Sequence, residues 1–263
     1  MTNPHESSTP DYRIDSFTGA DKDTENNFAS ATISDDGFVR LADHHSADGR
    51  DSYFVFFDTS ALWGVPGAAE YLSLHITRDP EQRTYDFEHA VHPVLPLAQN
   101  WVIQRGCPED AITVASAHGP RPADAQTSRL EDKLRANVDG RYEVLAHFTD
   151  NPGAFDAGVT VTTVLYDSHP DSADAPYRLF LEETTKDFAT YTVREGAFTS
   201  EAAARTWTPD GGTPLPEPSS GPARRADAAR RRSVRQPHEP ASPPTAPPRL
   251  DSSQQARPRR GAR

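Results

Sequence analysis

Three histidines have the spacing that comes nearest to a metal or ligand site. His89 and His92 lie three residues apart, and His75 precedes them in a neighbouring stretch of strand-like sequence. Imidazole nitrogens are common zinc ligands, and nearby acidic side chains would complete such a set. The chain has one Cys and no HExxH pattern, so the alternative is that these histidines are structural or on the surface. We take His75, His89 and His92 as the candidate ligand or metal residues.

Nucleophilic chemistry has weaker support. Cys107 follows a glycine that ends a predicted helix, and the helix dipole at that end disfavours a thiolate. Ser168 and His169 adjoin Asp167, but adjacent residues do not form the line of nucleophile, base and orienting acid that acyl transfer requires. The catalytic residues therefore remain unknown.

The sequence indicates neither a catalytic carboxylate pair nor a phosphate-binding loop. Glu182 and Glu183 are neighbours on a predicted strand, so they point to opposite faces and do not form a pair. The sequence contains neither GxGxxG nor GxxxxGK[ST], so no phosphate cradle is indicated. We expect no cofactor.

The elements that would position such residues are mainly strands. Alternating apolar and polar residues between turn signals predict strands at 142–149, 159–167 and 177–185, with a fourth at 188–194. Alternation of this kind is typical of half-buried antiparallel strands. We predict an α+β fold in which an antiparallel meander sheet is covered by one or two helices.

The covering helix precedes the meander. Residues 123–138 place Leu130 and Leu134 on one apolar stripe, which we expect to face the sheet. Upstream, residues 70–77 and 84–90 read as a β-hairpin. No internal repeat is visible in the sequence.

Composition sets the domain boundaries. Only 35% of the 263 residues are apolar, and 24 are Pro, so the chain is not globular throughout. We expect a disordered acidic segment at 1–36 and one α+β domain at 37–207, which divides into two subdomains near residue 108 in an alternative interpretation. The remainder, 208–263, holds 12 of the prolines and is predicted to be a disordered Pro/Arg-rich tail.

Charge and targeting signals limit the partners. The 208–263 tail has 11 Arg and 5 acidic residues, whereas the rest of the chain has 34 acidic and 16 basic residues. An acidic body repels nucleic acid and anionic membranes, so nucleic acid is expected to bind only through the tail. One Cys, no apolar run of membrane length and no secretory signal predict a cytoplasmic protein without membrane contact.

Several short stretches resemble conserved actinobacterial proteins of unknown function. The resemblance spans about 95–207, and it rests on Trp101–Pro108, Gly119–Asp124, Leu130–Glu131, Arg194–Phe198, Glu201–Ala203 and Trp207. These are packing and capping residues, and the resemblance implies no activity, cofactor or site.

The leading functional prediction is a non-enzymatic protein-binding or accessory module. The alternatives are a small-molecule enzyme or ligand-binding protein that uses the three histidines, and a DNA-contacting regulator that uses the tail.

Overall fold

The computed structural model describes residues 10–61, 65, 67–114, 120–137, 140–151, 158–209 and 212–218. Its strands are β1 Thr18–Gly19, β2 Phe38–His45, β3 Asp51–Asp58, β4 Tyr71–Asp79, β5 Thr84–His92, β6 Arg121–Pro122, β7 Tyr142–Asp150, β8 Thr160–Asp167, β9 Tyr177–Thr184 and β10 Thr190–Phe198. Its α-helices are α1 Lys22–Ala31, α2 Leu95–Ile103, α3 Ala125–Arg135 and α4 Glu201–Thr206. Short 3-10 helices lie at Asp35–Gly37, Glu109–Ile112 and Pro170–Ser172.

These strands form two five-stranded sheets, with the orders β1-β5-β4-β3-β2 and β6-β10-β9-β8-β7. The α+β class is confirmed, and so are the predicted hairpin and the predicted meander. The prediction of one purely antiparallel sheet is wrong, because each meander has a two-residue parallel strand at its edge. Strands of two residues carry too little periodicity for the sequence to reveal them.

The two sheets repeat one order of elements. Each half of the described chain has a short strand, a helix, a four-stranded meander and a further helix. We call residues 10–114 the first half and residues 120–218 the second half. Equivalent backbone hydrogen bonds fix the short strand to the last strand of each half: Thr18 to Arg83, Ala20 to Tyr85, Arg121 to Ala189 and Ala123 to Tyr191.

The repeat extends to strand register. The first meander strand of each half is bulged at the same place, between Arg40 and Ala42 in β2 and between Val144 and Ala146 in β7. Strand registers and helix caps therefore assign corresponding positions: Phe28 and Glu131, Ala42 and Ala146, Tyr53 and Thr162, Val55 and Val164, Ser73 and Leu179, Ile76 and Glu182, Tyr85 and Tyr191. Three of these seven pairs are identical, and four differ in residue type, so the repeat is weak in the sequence.

Helices cover both faces of each sheet. The first sheet packs against α1 on one face and α2 on the other, and the second packs against α3 and α4 in the same way. Helices α2 and α3 also contact each other, so the halves meet through this pair. Asn100 of α2 strengthens the contact, because its side-chain amide donates to the carbonyls of Arg135 and Asn137.

The helix predicted to cover the meander is present as α3. The Asp124 carboxylate accepts a hydrogen bond from the backbone N–H of Thr127, which caps the first turn. Leu134 is 2% exposed, and Leu130 packs against the same cluster beneath the sheet. The apolar stripe therefore faces the sheet, as predicted from its spacing.

Residues 10–36 carry regular structure, although their composition predicted disorder. Asp21 caps α1, and Phe28 packs edge-to-face on Tyr12 and Tyr85 in the first core. The buried Arg78 guanidinium donates to the carbonyls of Tyr12 and Arg13. A few aromatic side chains and one arginine therefore order a polar segment.

A buried ion network closes one end of the second sheet. Arg141 donates to both oxygens of Asp167, at 2.7 and 2.8 Å. Ser172 also donates to Asp167, and Arg178 donates to Ser172. Burial alone would raise the pKa of Asp167, but the hydrogen bonds from Arg141, Ser172 and the His169 backbone outweigh it and lower the pKa to about 2.

The described residues belong to one compact unit, and the two sheets divide between residues 104 and 120, close to the alternative boundary near 108. The predicted tail lies outside the described residues from 219 onward. No helix among the described residues combines the length and the apolarity that a membrane crossing requires.

Candidate functional site

The structure places the first two candidate histidines on opposite faces of the first sheet. His75 Nε2 donates to Asp51 Oδ1 at 2.8 Å, and its ring stacks on Tyr53 on the face covered by α2. His89 pairs in register with Leu74, so it lies on the face covered by α1. His75 and His89 therefore do not point toward a common ligand.

His92 has a different environment from both. Its ring lies 6.3 Å from that of Trp101, and its Nε2 is buried without a hydrogen bond to any described residue. Burial, with a smaller contribution from Arg105, lowers the pKa of His92 to about 4. Within the described ranges no three His, Cys, Asp or Glu side chains are arranged to hold a metal ion.

The remaining candidate nucleophiles are held by structural contacts. Cys107 is 3% exposed, and burial together with Asp110 raises the pKa of its thiol to about 12. Ser168 donates to the carbonyl of Arg141, while His169 Nδ1 accepts from the Asp171 backbone. Ser168 and His169 thus have separate partners and form no proton relay.

An open groove lies on the outer face of the second sheet, beside α4. Its volume is about 170 Å³. The lining side chains come from three strands and from the end of the helix: Ala146, His147, Phe148, Thr162, Val164, Leu179, Ala204, Arg205 and Trp207. Six of these nine side chains are apolar or aromatic, but Val164, Leu179 and Ala204 are almost fully buried. The surface that the groove exposes is therefore polar and apolar in about equal parts, and it suits a side chain with an apolar body and a polar end.

The corresponding region of the first half is filled by the chain itself. Ala42, Tyr53 and Val55, which correspond to groove positions, are buried beneath Cys107 and Ile112. Ile112 has no exposed surface. The first half therefore shows that an aliphatic side chain completes this packing.

The difference arises from the path of the chain after each second helix. Gly106 adopts a φ of +100°, which glycine tolerates, and the chain then turns to lay the 3-10 helix Glu109–Ile112 against β2. After α4 the chain instead runs to β10, where Ala197 donates to the carbonyl of Pro216. Leu215 packs beside Gly196 there. Leu215 also packs against the cluster that contains Val164 and Leu179, while Ala146 and Thr162 stay partly exposed.

Phe148 forms an exposed aromatic rim on the groove. Its side chain is 53% exposed, although it lies on a strand. The ring approaches Gly67 so closely that a Cβ there would come within 2.5 Å of it. Glycine at position 67 therefore leaves room for the Phe148 ring. An exposed aromatic side chain beside a groove is typical of interaction surfaces.

A second feature, three buried glutamates, was missed by sequence reasoning. Glu70 is 6% exposed, Glu131 is 7% exposed and Glu182 is 9% exposed. The sequence correctly separated Glu182 from the exposed Glu183, but it did not show that Glu182 is buried. Burial, followed by the charges of Glu131 and Glu70, raises the pKa of Glu182. No sequence pattern marks these glutamates, because Glu182 alternates with the apolar Leu179 and Leu181, and Glu131 lies outside the predicted apolar stripe of α3.

Comparison with protein-family models, with curated proteins and with solved structures finds no match for this chain.

Proposed function

We propose that this protein is a non-enzymatic protein-binding module, and that the groove beside α4 receives a side chain with an apolar body and a polar end from a partner polypeptide. The observation that carries the proposal is the difference between the two halves. Cys107 and Ile112 cover the first groove, whereas the corresponding groove of the second half is open to solvent.

The size of the groove favours a side chain over a free small molecule. Small-molecule sites usually enclose roughly 300–1,000 Å³, whereas this groove holds about 170 Å³. One or two aliphatic or aromatic side chains fill such a space. Burying one of them contributes roughly 1.5–3 kcal/mol, so further contacts along the rim are needed for stable binding.

Phe148 and Trp207 provide such rim contacts. Both are aromatic, and they line the groove from β7 and from the end of α4. Aromatic residues with exposed area are the side chains that dominate protein interfaces. Arg205 adds a polar rim, although its guanidinium already bonds Glu201 and the carbonyl of Leu145.

Photo-crosslinking at the rim tests the proposal. A benzophenone amino acid replaces Phe148 in the full chain, and the reference chain carries it at Ile33, an 82% exposed residue of the first half. In cells that express the chain naturally, we expect a discrete protein adduct from position 148 only.

A variant that fills the groove makes the test specific. Thr162→Tyr introduces the residue that the first half has at this position, Tyr53, and should abolish the adduct. Thr192→Tyr is the matched control. Thr192 belongs to β10 and lies on the same face of the second sheet as Thr162, but it does not line the groove. An adduct that persists in Thr162→Tyr, or an absence of any adduct from position 148, would overturn the proposal.

A further inference from the structure

The three buried glutamates lie where the two halves meet. Glu70 immediately precedes β4 of the first half, whereas Glu131 lies on α3 and Glu182 on β9 of the second half. Glu182 pairs in register with Val161 and Val193, and these two residues pack in one cluster with Val94 and Leu97 of the first half. The cluster therefore joins elements from both halves.

Hydrogen bonding within the cluster is unequal. Glu131 accepts from the Tyr191 hydroxyl, and Glu70 accepts from the Asn151 amide at 3.3 Å. Glu182 is 9% exposed, and its register neighbours Val161 and Val193 are apolar. Removing water from around a carboxylate disfavours its charged form, so this position favours the neutral acid.

The fold does not require acids at these positions. The residues that correspond to Glu131 and Glu182 in the first half are Phe28 and Ile76, and both lie in its apolar core. The first half thus packs the same arrangement of helix and sheet with apolar side chains. At the junction, the second half has the ionisable Glu131 and Glu182 where the first half has Phe28 and Ile76.

The charged and titratable groups around the cluster come from both halves. The first half contributes Asp58, Glu70 and Tyr71, with the neutral His92 paired to Tyr71 in register. The second half contributes Glu131, Glu182 and Tyr191, and Asp132 and Arg135 act on Glu131 from the same helix.

The only cation in this set is committed elsewhere. Arg135 donates to Gln99 and to Asp132. It therefore offers no direct pairing to Glu182.

We propose that Glu70, Glu131 and Glu182 form a pH-responsive contact, which holds the two halves together while Glu182 is protonated and weakens when Glu182 ionises. Burial, followed by the charges of Glu131 and Glu70, raises the pKa of Glu182 to about 8. Burial also raises the pKa values of Glu131 and Glu70. Ionisation of Glu182 therefore adds a negative charge beside two other carboxyl groups slightly above neutral pH.

The sign of the effect on stability follows from proton binding. Between the ordinary glutamate value of 4.5 and about 8, the folded protein holds a proton on Glu182 that the unfolded chain releases. Stability from this group is fully present below pH 4.5 and is lost as the pH rises through about 8. Buried histidines such as His92 act below about pH 6.5 and the tyrosines act above pH 10. Cys107, whose pKa is raised from 9.0 to about 12, lowers stability above about pH 8. The range from pH 6.5 to 8 therefore reports mainly on the glutamate.

Urea unfolding of the full chain across that range tests the proposal. The wild-type midpoint should fall from pH 6.5 to about 8, because Glu182 stays protonated only in the folded state there. Glu182→Gln should remove most of this fall. Glu183→Gln is the matched control, because this neighbouring residue is exposed on the opposite face; it should retain the wild-type slope. Equal slopes in wild type and Glu182→Gln would overturn the proposal.

A second measurement does not depend on a variant that folds. The wild-type protein is labelled with ¹³C at the glutamate carboxyl carbons and titrated by NMR. One resonance is expected to titrate above pH 7, with loss of hydrogen-exchange protection at the contact between α2 and α3 over the same range. Titration of every glutamate below pH 5.5, or unchanged exchange protection, would contradict the proposal.

Discussion

The Tyr191 hydroxyl donates a hydrogen bond to the Glu131 carboxyl where α3 packs on β10. The corresponding residues of the first half, Tyr85 and Phe28, meet as two rings 5.4 Å apart at an interplanar angle of 72°. The repeat therefore keeps the tyrosine and changes its neighbour from an aromatic ring to an acid. The second half depends on a polar contact where the first depends on aromatic packing.

Tyr191→Phe tests the strength of that contact. The substitution leaves the buried Glu131 carboxyl without its hydroxyl donor, so we expect a loss of about 1–3 kcal/mol in the free energy of unfolding. Urea denaturation at pH 6 measures it. Tyr166→Phe is the control, because Tyr166 is 37% exposed, and it should change the free energy by less than about 0.5 kcal/mol. Equal stability of the two variants would contradict the assigned role of Tyr191.

Asp167→Asn should weaken the ion network at the end of the second sheet. The Asp167 side chain is buried, whereas the Arg141 side chain is 33% exposed, so the loss should be near the lower end of the roughly 3–5 kcal/mol for breaking a buried pair. Asp171→Asn, with its side chain 65% exposed, is the reference. A loss no larger than the reference would show that Asp167 is not stabilising.

The same variant should change the response to acid. Because the pKa of Asp167 is lowered from 3.8 to about 2, its contribution is present above pH 3.8 and is lost as the pH falls through about 2. Unfolding measured by circular dichroism between pH 4.5 and 2 should therefore depend less on pH in Asp167→Asn than in wild type. Identical acid transitions would contradict the lowered pKa.

Ile112→Ala should open in the first half the cavity that the second half already has. Removing a fully buried aliphatic side chain costs about 2–5 kcal/mol, according to how far the site collapses. Ile33→Ala removes equivalent atoms from an 82% exposed position and should be nearly neutral. If Ile112→Ala were also neutral, Ile112 would not be the residue that completes the first groove.

Cys107 provides a reporter of the same region. Because burial raises the pKa of its thiol to about 12, the native protein should react with a disulfide reagent far more slowly than the urea-unfolded chain. Ile112→Ala should increase the native rate, since Ile112 packs in the same cluster as Cys107. A native rate equal to the unfolded rate would show that the thiol is accessible.

The sequence by itself determined much of the second half. Alternation between turn signals identified the meander strands, and the spacing of Leu130 and Leu134 identified the face by which α3 covers them. These patterns are local, because a strand or helix with one buried face repeats its apolar residues at a fixed period. The same reasoning correctly placed Glu182 and Glu183 on opposite faces.

Only the tertiary structure decided which distant residues meet. Glu70, Glu131 and Glu182 come from three separate elements, and no local period relates them. The groove likewise depends on where the chain turns after α2 and α4, and that choice is visible only once both sheets are formed. Pairing between distant segments is set by packing and strand register across the whole fold, and a single sequence records neither.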